Sequence, residues 1–203
     1  MIDFEIPEET KAIRAKVRAF VQKECVAAEE ICTAENFDEV LKELRGKARS
    51  QGLWCPFIPP EHGGMGLRPL ANALVQMELG ESFLGALALN TQGPDDATML
   101  TLLEHGTDHQ KEKFLGPLLE GNKRICYSMT EKAAGADATG MQTSAGLEGD
   151  NWVLNGEKWF SSSASVADIA VVMAKTDPDA ARHEQYSTFI VELPNPGYQI
   201  LRN

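Results

Sequence analysis

The sequence has few cysteines and histidines, and none of them forms a metal-binding pattern. The four cysteines are scattered over 203 residues without a CxxC pair, which is typical of reduced, mostly buried thiols. Two of the four histidines, His105 and His109, are four residues apart. Gly106 and Thr107 lie between them and indicate a helix boundary, so we expect surface histidines. With no HExxH pair and no zinc-type Cys/His cluster, we predict no metal site.

Basic charge and long apolar runs are also scarce. The chain carries 19 lysines and arginines against 30 aspartates and glutamates, for a net charge of −11. A nucleic-acid partner would require a concentrated basic surface. No apolar run approaches a membrane span, and the acidic start MIDFEIPEET lacks the apolar segment of a signal peptide. We therefore expect a cytoplasmic protein whose partners are neither nucleic acid nor membrane.

Two common phosphate-binding motifs are missing as well. The glycine-rich segment PPEHGGMGL, residues 59–67, has neither the GxGxxG of a dinucleotide-binding turn nor the GK[ST] of a P-loop. No predicted strand precedes it, so it favours a sharp connection between two helices. The GxSxG of a serine hydrolase is also absent from the sequence.

The first 120 residues have the apolar spacing of helices. One helix follows Pro7, and its apolar stripe is Ile13, Val17, Phe20, Val21 and Cys25. Further helices are predicted over 38–50, over 70–80 and from Pro94 onward. Their periodic apolar residues are Val40, Leu41 and Leu44 in the first of these and Leu70, Leu74 and Met77 in the second. Thr107 and Gln110 match a capping box that begins the last helix, and Gly121 ends it.

After Asn122 the apolar period changes to two, which is the spacing of strands. Strands are predicted over 123–130, 168–175 and 186–193, and a last short strand, YQILR, is predicted after Gly197. The predicted fold class is therefore α+β. A helical bundle over 1–121 is followed by an antiparallel β unit over 122–203.

One turn signal in the second half is strong. Asn155-Gly156 separates two short apolar runs, and this dipeptide favours a two-residue hairpin turn. In that register Trp152 would lie opposite Trp159 on the neighbouring strand, which is a favourable aromatic pair.

Two segments carry the side chains that a flat cofactor needs. CYSMTEKAAGADATG, residues 126–140, places Thr130 and Glu131 before a run of alanine and glycine that lets backbone approach a ligand closely. GEKWFSS, residues 156–162, supplies an indole and hydroxyls from Trp159, Ser161 and Ser162. Such groups can hydrogen-bond a flavin ring and pack along it. Each segment is also compatible with an ordinary strand edge, so these residues alone leave both interpretations open.

The same two segments resemble signature motifs of the acyl-CoA dehydrogenase family. Residues 129–137 are similar to xMTEPxAGSD, and residues 155–161 are similar to NGxKxWIT. Further matches are PPEHGGMGL, GTDHQKEKFLGPLLEG, ADIAVVMAKTD and FIVELPNPG, so the resemblance extends in order over essentially the whole chain. Three positions depart from the family pattern. Lys132 stands where the family has proline, Ala136 where it has serine, and Ser161 where it has threonine.

The resemblance implies a helical N-terminal domain over 1–121 and an FAD-binding middle domain over 122–203 that forms an incomplete β-barrel. By position, the cofactor-binding residues would be Tyr127, Ser128, Met129, Thr130, Gly135, Ala136, Trp159, Phe160 and Ser161. Ala136 would also contact the acyl-CoA substrate. The resemblance implies that Glu131 is structural rather than catalytic.

The activity implied by the resemblance is FAD-dependent α,β-dehydrogenation of an acyl-CoA thioester to a 2,3-enoyl-CoA, in fatty acid metabolism. An electron-transfer flavoprotein would accept the electrons, and the full-length form would be a homo-oligomer. In the family a third, helical domain supplies the catalytic glutamate, so we assign no catalytic residue within this chain. Two alternatives stay open. One is an acyl-CoA oxidase or flavin monooxygenase of the same fold, and the other is a non-catalytic fragment that binds a flavin or a partner chain.

Overall fold

The computed structural model describes residues 5–202. The chain forms two compact units, and the boundary lies between Gly121 and Asn122. The predicted order, helices first and then a sheet, is confirmed. All four cysteines are free thiols, and three of them are buried. Among the described residues, no helix is apolar over a length that would cross a bilayer.

The first unit is built from helices at the positions that the sequence indicates. Pro7 precedes the first helix, and Thr107 and Gln110 form the predicted capping box. The helices are α1 (Glu8–Phe20), a π-helical turn (Val21–Cys25), α2 (Val26–Glu29), α3 (Phe37–Ser50), a 3-10 turn (Pro60–His62), α4 (Pro69–Leu79), α5 (Gly85–Ala88), α6 (Asp95–His105), α7 (Asp108–Gln110), a second π-helical turn (Lys111–Leu115) and α8 (Gly116–Leu119).

The stripe predicted on the first helix lies at the centre of the helical core. Val17, Phe20, Val21 and Cys25 are buried, and Ile13 packs at the margin. The other buried members of this cluster are Leu44, Ala48, Leu53, Val75, Leu79, Leu84, Ala88 and Leu89. The stripe therefore joins the first helix to α3, α4 and α5.

A buried carboxylate ties α1 to α4. Glu78 on α4 is 2% exposed, and it accepts hydrogen bonds from Arg14 Nε and Arg18 Nε, each at 2.6 Å. The hydrogen bond from Arg18 is the main cause that lowers the pKa of Glu78. A charge is buried at low cost only when its hydrogen-bonding capacity is used. Two arginines on one helix supply that capacity here.

The apolar periodicity predicted for α4 lies on its outer face. Leu70 and Met77 are 52% and 64% exposed. The row that faces the core is Ala71, Val75, Glu78 and Leu79. A glutamate in the inward row hides the pattern, because hydropathy alone assigns a charged residue to the surface. Only the arginines of α1, which are distant in sequence, make the inward position favourable.

An indole and two arginines hold the end of the helical unit. Trp54 donates its Nε1–H to the Leu119 carbonyl at 2.9 Å, and the Arg49 guanidinium stacks 3.6 Å from the centre of the Trp54 ring. Arg45 donates to the Gly121 carbonyl. Carbonyls at a helix C-terminus have no partner within the helix, so these donors satisfy them. Gly121 ends α8 with φ +69°, a conformation that favours glycine.

The second unit is a five-stranded sheet with mixed pairing. Its strands are β1 (Ile125–Ser128), β2 (Ser144–Glu148), β3 (Asn151–Asn155), β4 (Ile169–Lys175) and β5 (Tyr186–Glu192). β1, β4 and β5 lie within strands that the sequence predicts. β2 with β3 and β4 with β5 pair antiparallel, but β1 with β4 and β2 with β4 pair parallel. The sheet is therefore mixed, where the sequence predicts a wholly antiparallel one.

β1 and β2 share one edge of β4. β5 pairs along the other edge over the whole of β4. β1 covers the first part of the shared edge, and β2 meets it again where Ser144 lies opposite Lys175. The chain thus leaves the edge after Ser128 and returns to it at Ser144 in the same direction, which is why both pairings are parallel. We call residues 129–143, between these two points, the excursion loop.

The predicted hairpin turn at Asn155-Gly156 is wrong. The observed hairpin joins β2 to β3 through Gly149, which has φ +61°. A Cβ atom on Gly156 would lie 2.3 Å from the Thr143 hydroxyl oxygen. Glycine at 156 therefore lets the chain pass close to Thr143, and it is not part of the hairpin turn.

The predicted pair of Trp152 and Trp159 is wrong for the same reason. Trp152 lies opposite Leu147 in the β2–β3 register. Its indole meets Phe189 of β5 edge to face, with ring centroids 5.4 Å apart. β3 and β5 are not paired with each other, so this contact indicates that the sheet is curved.

The short strand predicted after Gly197 does not form, since residues 198–202 belong to no strand. Tyr198 instead turns inward. Its hydroxyl lies 3.4 Å from Ser128 Oγ and 3.7 Å from Cys126 Sγ. The alternation in the sequence reflects a partly buried tyrosine that packs against the sheet core, and no strand pairing.

We expect Glu78→Gln to destabilise the helical unit by about 2 kcal/mol, because it leaves two arginines without their buried counter-charge. Urea denaturation followed by far-ultraviolet circular dichroism measures this change. Glu39→Gln is the matched control, since Glu39 is exposed on α3. Equal unfolding midpoints for the two variants would contradict the role assigned to Glu78.

Candidate functional site

One buried carboxylate closes the neck of the excursion loop, where residues 129–131 leave the sheet edge and residues 142–143 return to it. Glu131 is 8% exposed, and it accepts hydrogen bonds from the backbone N–H groups of Gln142 at 2.6 Å and Thr143 at 2.9 Å. These donors lie at the opposite end of the loop. Glu131 therefore joins the two ends of the loop where they leave and rejoin the sheet edge.

Lys158 completes this closure. Its Nζ lies 2.9 Å from Glu131 Oε1 and donates to the Met129 carbonyl, also at 2.9 Å. The side chains of Lys158 and Glu131 are 9% and 8% exposed, so the ion pair is shielded from solvent. Breaking a buried pair costs more than breaking a surface pair, because the remaining charge has no partner. The pair fixes the segment around Lys158 against the loop.

The electrostatics of Glu131 follow from these contacts. Burial raises the pKa of Glu131, but hydrogen bonding from Thr143, Gln142 and Lys158 outweighs burial and lowers the pKa from its ordinary 4.5 to about 2. The carboxylate is therefore ionised at neutral pH and cannot carry a proton there. A carboxylate with so low a pKa is a weak base, and its contacts agree with a structural role for Glu131.

The tip of the excursion loop is bare and open. Lys132, Ala133, Gly135 and Ala136 are exposed, and a Cβ atom on Gly135 would meet nothing within 4 Å. Within residues 5–202, the backbone N–H groups of Gly135 and Ala136 donate to no protein acceptor. Free N–H groups without bulky side chains can approach an anionic ligand group closely.

A second segment lies against the base of this loop. The backbone N–H of Trp159 donates to the Thr130 carbonyl at 2.8 Å, and Ser161 Oγ lies 2.8 Å from Ser128 Oγ. The Thr130 hydroxyl has no partner in the described part of the chain. The two sequence motifs are therefore in contact, although residues 157–159, which the predicted hairpin would place in a strand, belong to a loop.

Phe160 is held in an unusual position. It has φ +56°, which is rare for a bulky residue, and it is 79% exposed. Its ring meets Trp159 edge to face at 5.9 Å between centroids. Holding a large apolar side chain both strained and exposed is unfavourable for folding alone. Such a side chain is suited to form one wall of a binding site.

The structure brings most of the predicted site residues together. The members of β1 and the loop base are Tyr127, Ser128, Met129 and Thr130; those of the loop tip are Gly135 and Ala136; those of the second segment are Trp159, Phe160 and Ser161. Ser128 is buried, and its hydroxyl bonds to protein groups. Ser162 is exposed and outside the contacts between the motifs. Among the described residues, no three histidine, cysteine, aspartate or glutamate side chains could hold a metal ion.

Sequence reasoning missed several residues that shape this site. Lys158, Arg182, Tyr186 and Tyr198 all contact the excursion loop or β1. Lys158 had a visible signal, since it stands at the lysine of the NGxKxWIT motif. The other three are distant in sequence and fit no motif, so only the fold reveals them.

Two family models match the chain. One describes the N-terminal domain of acyl-CoA dehydrogenases and matches residues 7–122, and the other describes the middle domain and matches residues 126–203. With the helix-then-sheet fold and the contacting motifs, these matches define the class. The chain belongs to the acyl-CoA dehydrogenase family, a family of oxidoreductases.

Particular relatives agree with this assignment. Acyl-CoA dehydrogenase family member 11 of Gallus gallus is 40% identical over 167 residues, which cover 80% of this chain and 21% of that protein. A putative acyl-CoA dehydrogenase from Mycobacterium abscessus is 33% identical with TM-score 0.88, over 98% of this chain and 54% of that one. A Mycobacterium smegmatis glutaryl-CoA dehydrogenase solved with FADH2 is 26% identical with TM-score 0.70, over 96% and 48%. The chain thus spans about half or less of these relatives.

We expect Glu131→Gln to lower the stability of the sheet unit by about 3 kcal/mol at pH 7. The fold lowers the pKa of Glu131 from 4.5 to about 2, and one pKa unit corresponds to about 1.4 kcal/mol. The folded-state pKa lies below the ordinary value, so this contribution is present above pH 4.5 and is lost as the pH falls toward 2. Hydrogen exchange of the β4 amides measures it.

The effect of Glu131→Gln should therefore be large at pH 7 and small near pH 2. Glu148→Gln is the control, because Glu148 is exposed on β2. A difference between Glu131→Gln and the unaltered chain that stayed constant across this pH range would show that the charge of Glu131 does not matter.

Proposed function

We propose that the sheet unit binds FAD between the excursion loop and residues 159–161. The contact between Thr130 and Trp159 carries the proposal, because it joins the two motifs at the point where a flat ring needs both. A free hydroxyl on Thr130, an exposed wall at Phe160 and free N–H groups at the loop tip remain available for a ligand. These groups fit the polar edge, the ring face and the pyrophosphate of a flavin dinucleotide.

Each residue of the site has its own part in this proposal. Thr130 and Ser161 donate to the polar edge of the ring, Trp159 and Phe160 pack beside it, and Gly135 and Ala136 approach the pyrophosphate through their backbone. Tyr127 and Met129 lie at the base of the loop beside the ring. Ser128 acts indirectly, since it is buried and holds Ser161. Ala136, being small, also leaves room for an acyl-CoA thioester.

We propose that the protein to which these units belong is an enzyme that catalyses α,β-dehydrogenation of an acyl-CoA to a 2,3-enoyl-CoA. Bound FAD would supply the redox chemistry by accepting a hydride from the substrate. The residues of this chain bind and orient, and we assign the base that removes the α-proton to none of them. An electron-transfer flavoprotein is the proposed acceptor, and a homo-oligomer the proposed assembly. Cytoplasmic location and a role in fatty acid metabolism stay predictions.

Family membership and the arrangement of the site support this proposal over a purely structural sheet edge. A sheet edge alone would gain nothing from a strained, exposed phenylalanine or from unpaired N–H groups beside it. Titration of the chain with FAD, followed by quenching of flavin fluorescence, tests the proposal. Absence of binding to the unaltered chain at all accessible concentrations would contradict it.

Thr130→Val should weaken FAD binding about fivefold, because one neutral hydrogen bond contributes about 1 kcal/mol. Valine keeps the shape of threonine, so we expect the fold to be unchanged. The measurement is the dissociation constant for FAD, with circular dichroism as the check on folding. Ser165→Ala, which removes an exposed hydroxyl in the same unit, should bind FAD like the unaltered chain. Equal constants for Thr130→Val and Ser165→Ala would argue against the ring contact.

A further inference from the structure

The connection between β4 and β5, residues 176–185, folds onto the far side of the excursion loop. Arg182 in this connection donates from Nη2 to Asp137 Oδ2 at 2.6 Å and from Nε to Thr139 Oγ1 at 2.6 Å. Hydrogen bonds between charged groups are shorter and stronger than neutral ones. One guanidinium therefore holds two residues, Asp137 and Thr139, within three positions of the end of the exposed loop tip at Ala136.

Tyr186, the first residue of β5, contacts the loop beside Arg182. Its hydroxyl donates to the Thr139 carbonyl and lies 3.3 Å from the Met141 carbonyl. The Tyr186 ring is itself fixed, since the Lys175 ammonium lies 5.4 Å from its centroid. Tyr186 pairs with Lys175 in the sheet. Its hydroxyl therefore ties the loop to a residue whose backbone is held by strand pairing.

Asp137 connects the contact with Arg182 to the bare tip. Its Oδ1 accepts from the Thr139 backbone N–H at 3.0 Å and closes the short helical turn Ala138–Gly140. Hydrogen bonding from Thr139 is the main cause that lowers the pKa of Asp137, so the carboxylate is charged at neutral pH. Gly135 and Ala136 directly precede this anchored residue.

Without these contacts the tip would be held from one side only. Glu131 and Lys158 fix the neck, and the backbone of Glu131 and Ala134 forms one short bridge. Beyond Ala134, no hydrogen bond joins the backbone of Gly135 or Ala136 to other described residues. Glycine has the largest conformational freedom to lose when a ligand orders it. An anchor at Asp137 and Thr139 removes part of that freedom beforehand.

We propose that Arg182 and Tyr186 are positioning residues that hold the backbone N–H groups of Gly135 and Ala136 toward the pyrophosphate of the cofactor. The inference rests on the proposed function, since it assumes that FAD is the ligand. Pre-organisation of a loop raises affinity by removing the ordering cost of binding. Neither side chain needs to touch the cofactor for this effect.

The anchor should act on the loop far more than on the fold. The side chains of Arg182 and Asp137 are 65% and 62% exposed, and exposed ion pairs contribute little to global stability. Local opening is governed by the few contacts that hold a segment. A local measurement is therefore the first test.

Hydrogen exchange of the amides of residues 139–141, which donate hydrogen bonds within the anchored turn, supplies that measurement without any cofactor. Arg182→Ala and Tyr186→Phe should each speed exchange of these amides severalfold, while exchange of the β4 amides stays unchanged. His183→Ala is the matched control, because His183 is the exposed neighbour of Arg182. Unchanged exchange at residues 139–141 in both variants would overturn the proposal.

Binding of FAD and of riboflavin, which has no pyrophosphate, supplies the second measurement. Both variants should weaken FAD binding about fivefold to tenfold and leave riboflavin binding unchanged. An equal loss for both flavins would indicate general damage to the site and would overturn the positioning role. A loss in Arg182→Ala with no loss in Tyr186→Phe would also overturn it, because it would indicate a direct contact between Arg182 and the pyrophosphate.

Failure of the two proposals can be told apart. If the unaltered chain bound neither flavin, the proposed function would fail and the positioning role would fail with it. If the unaltered chain bound FAD and both variants bound it equally well, the positioning role alone would fail. Faster exchange at residues 139–141, together with a loss confined to FAD, supports both proposals.

Discussion

β4 has only two edges, and β5 occupies the whole of one of them. β1 and β2 must therefore share the other edge, one after the other and in the same direction. The residues between them have no place on the sheet and leave it as the excursion loop. This competition for one strand edge places the alanine- and glycine-rich segment where its backbone can meet a ligand. The site is thus a consequence of strand pairing.

Where a loop leaves a sheet, the buried backbone groups at its two ends need hydrogen-bond partners. The ion pair of Glu131 and Lys158 supplies most of them here. Glu131 accepts two backbone N–H groups from the returning end, and Lys158 neutralises it while bonding to the Met129 carbonyl. The same lysine brings Trp159 and its neighbours beside Thr130. The contacts that close the loop are therefore the same ones that bring the two motifs together. The hydrogen bonds of this glutamate give it a structural role in closing the loop.

The helical unit uses the same principle with a different geometry. Glu78 is buried between two arginines of α1, and Trp54 with Arg45 satisfies carbonyls at the end of α8. In each unit a buried polar group joins elements far apart in sequence, while the apolar residues around it exclude water. Such contacts fix which elements pack together, a choice that apolar burial alone leaves open. Partners of this kind also explain why charged residues appear at inward positions.

The sequence by itself determined the local features: the helix starts at Pro7 and Thr107, the stripe around Val17, the strands β1, β4 and β5, and the two family motifs. Each of these depends on neighbours in the chain. Tertiary structure decided the rest, namely the inward row of α4, the parallel pairings, the turn at Gly149 in place of Asn155-Gly156, and the inward Tyr198. In all of these a local preference competes with a partner that is distant in sequence. The burial of Glu78 and the roles of Arg182 and Tyr186 depend on contacts that exist only once the chain has folded.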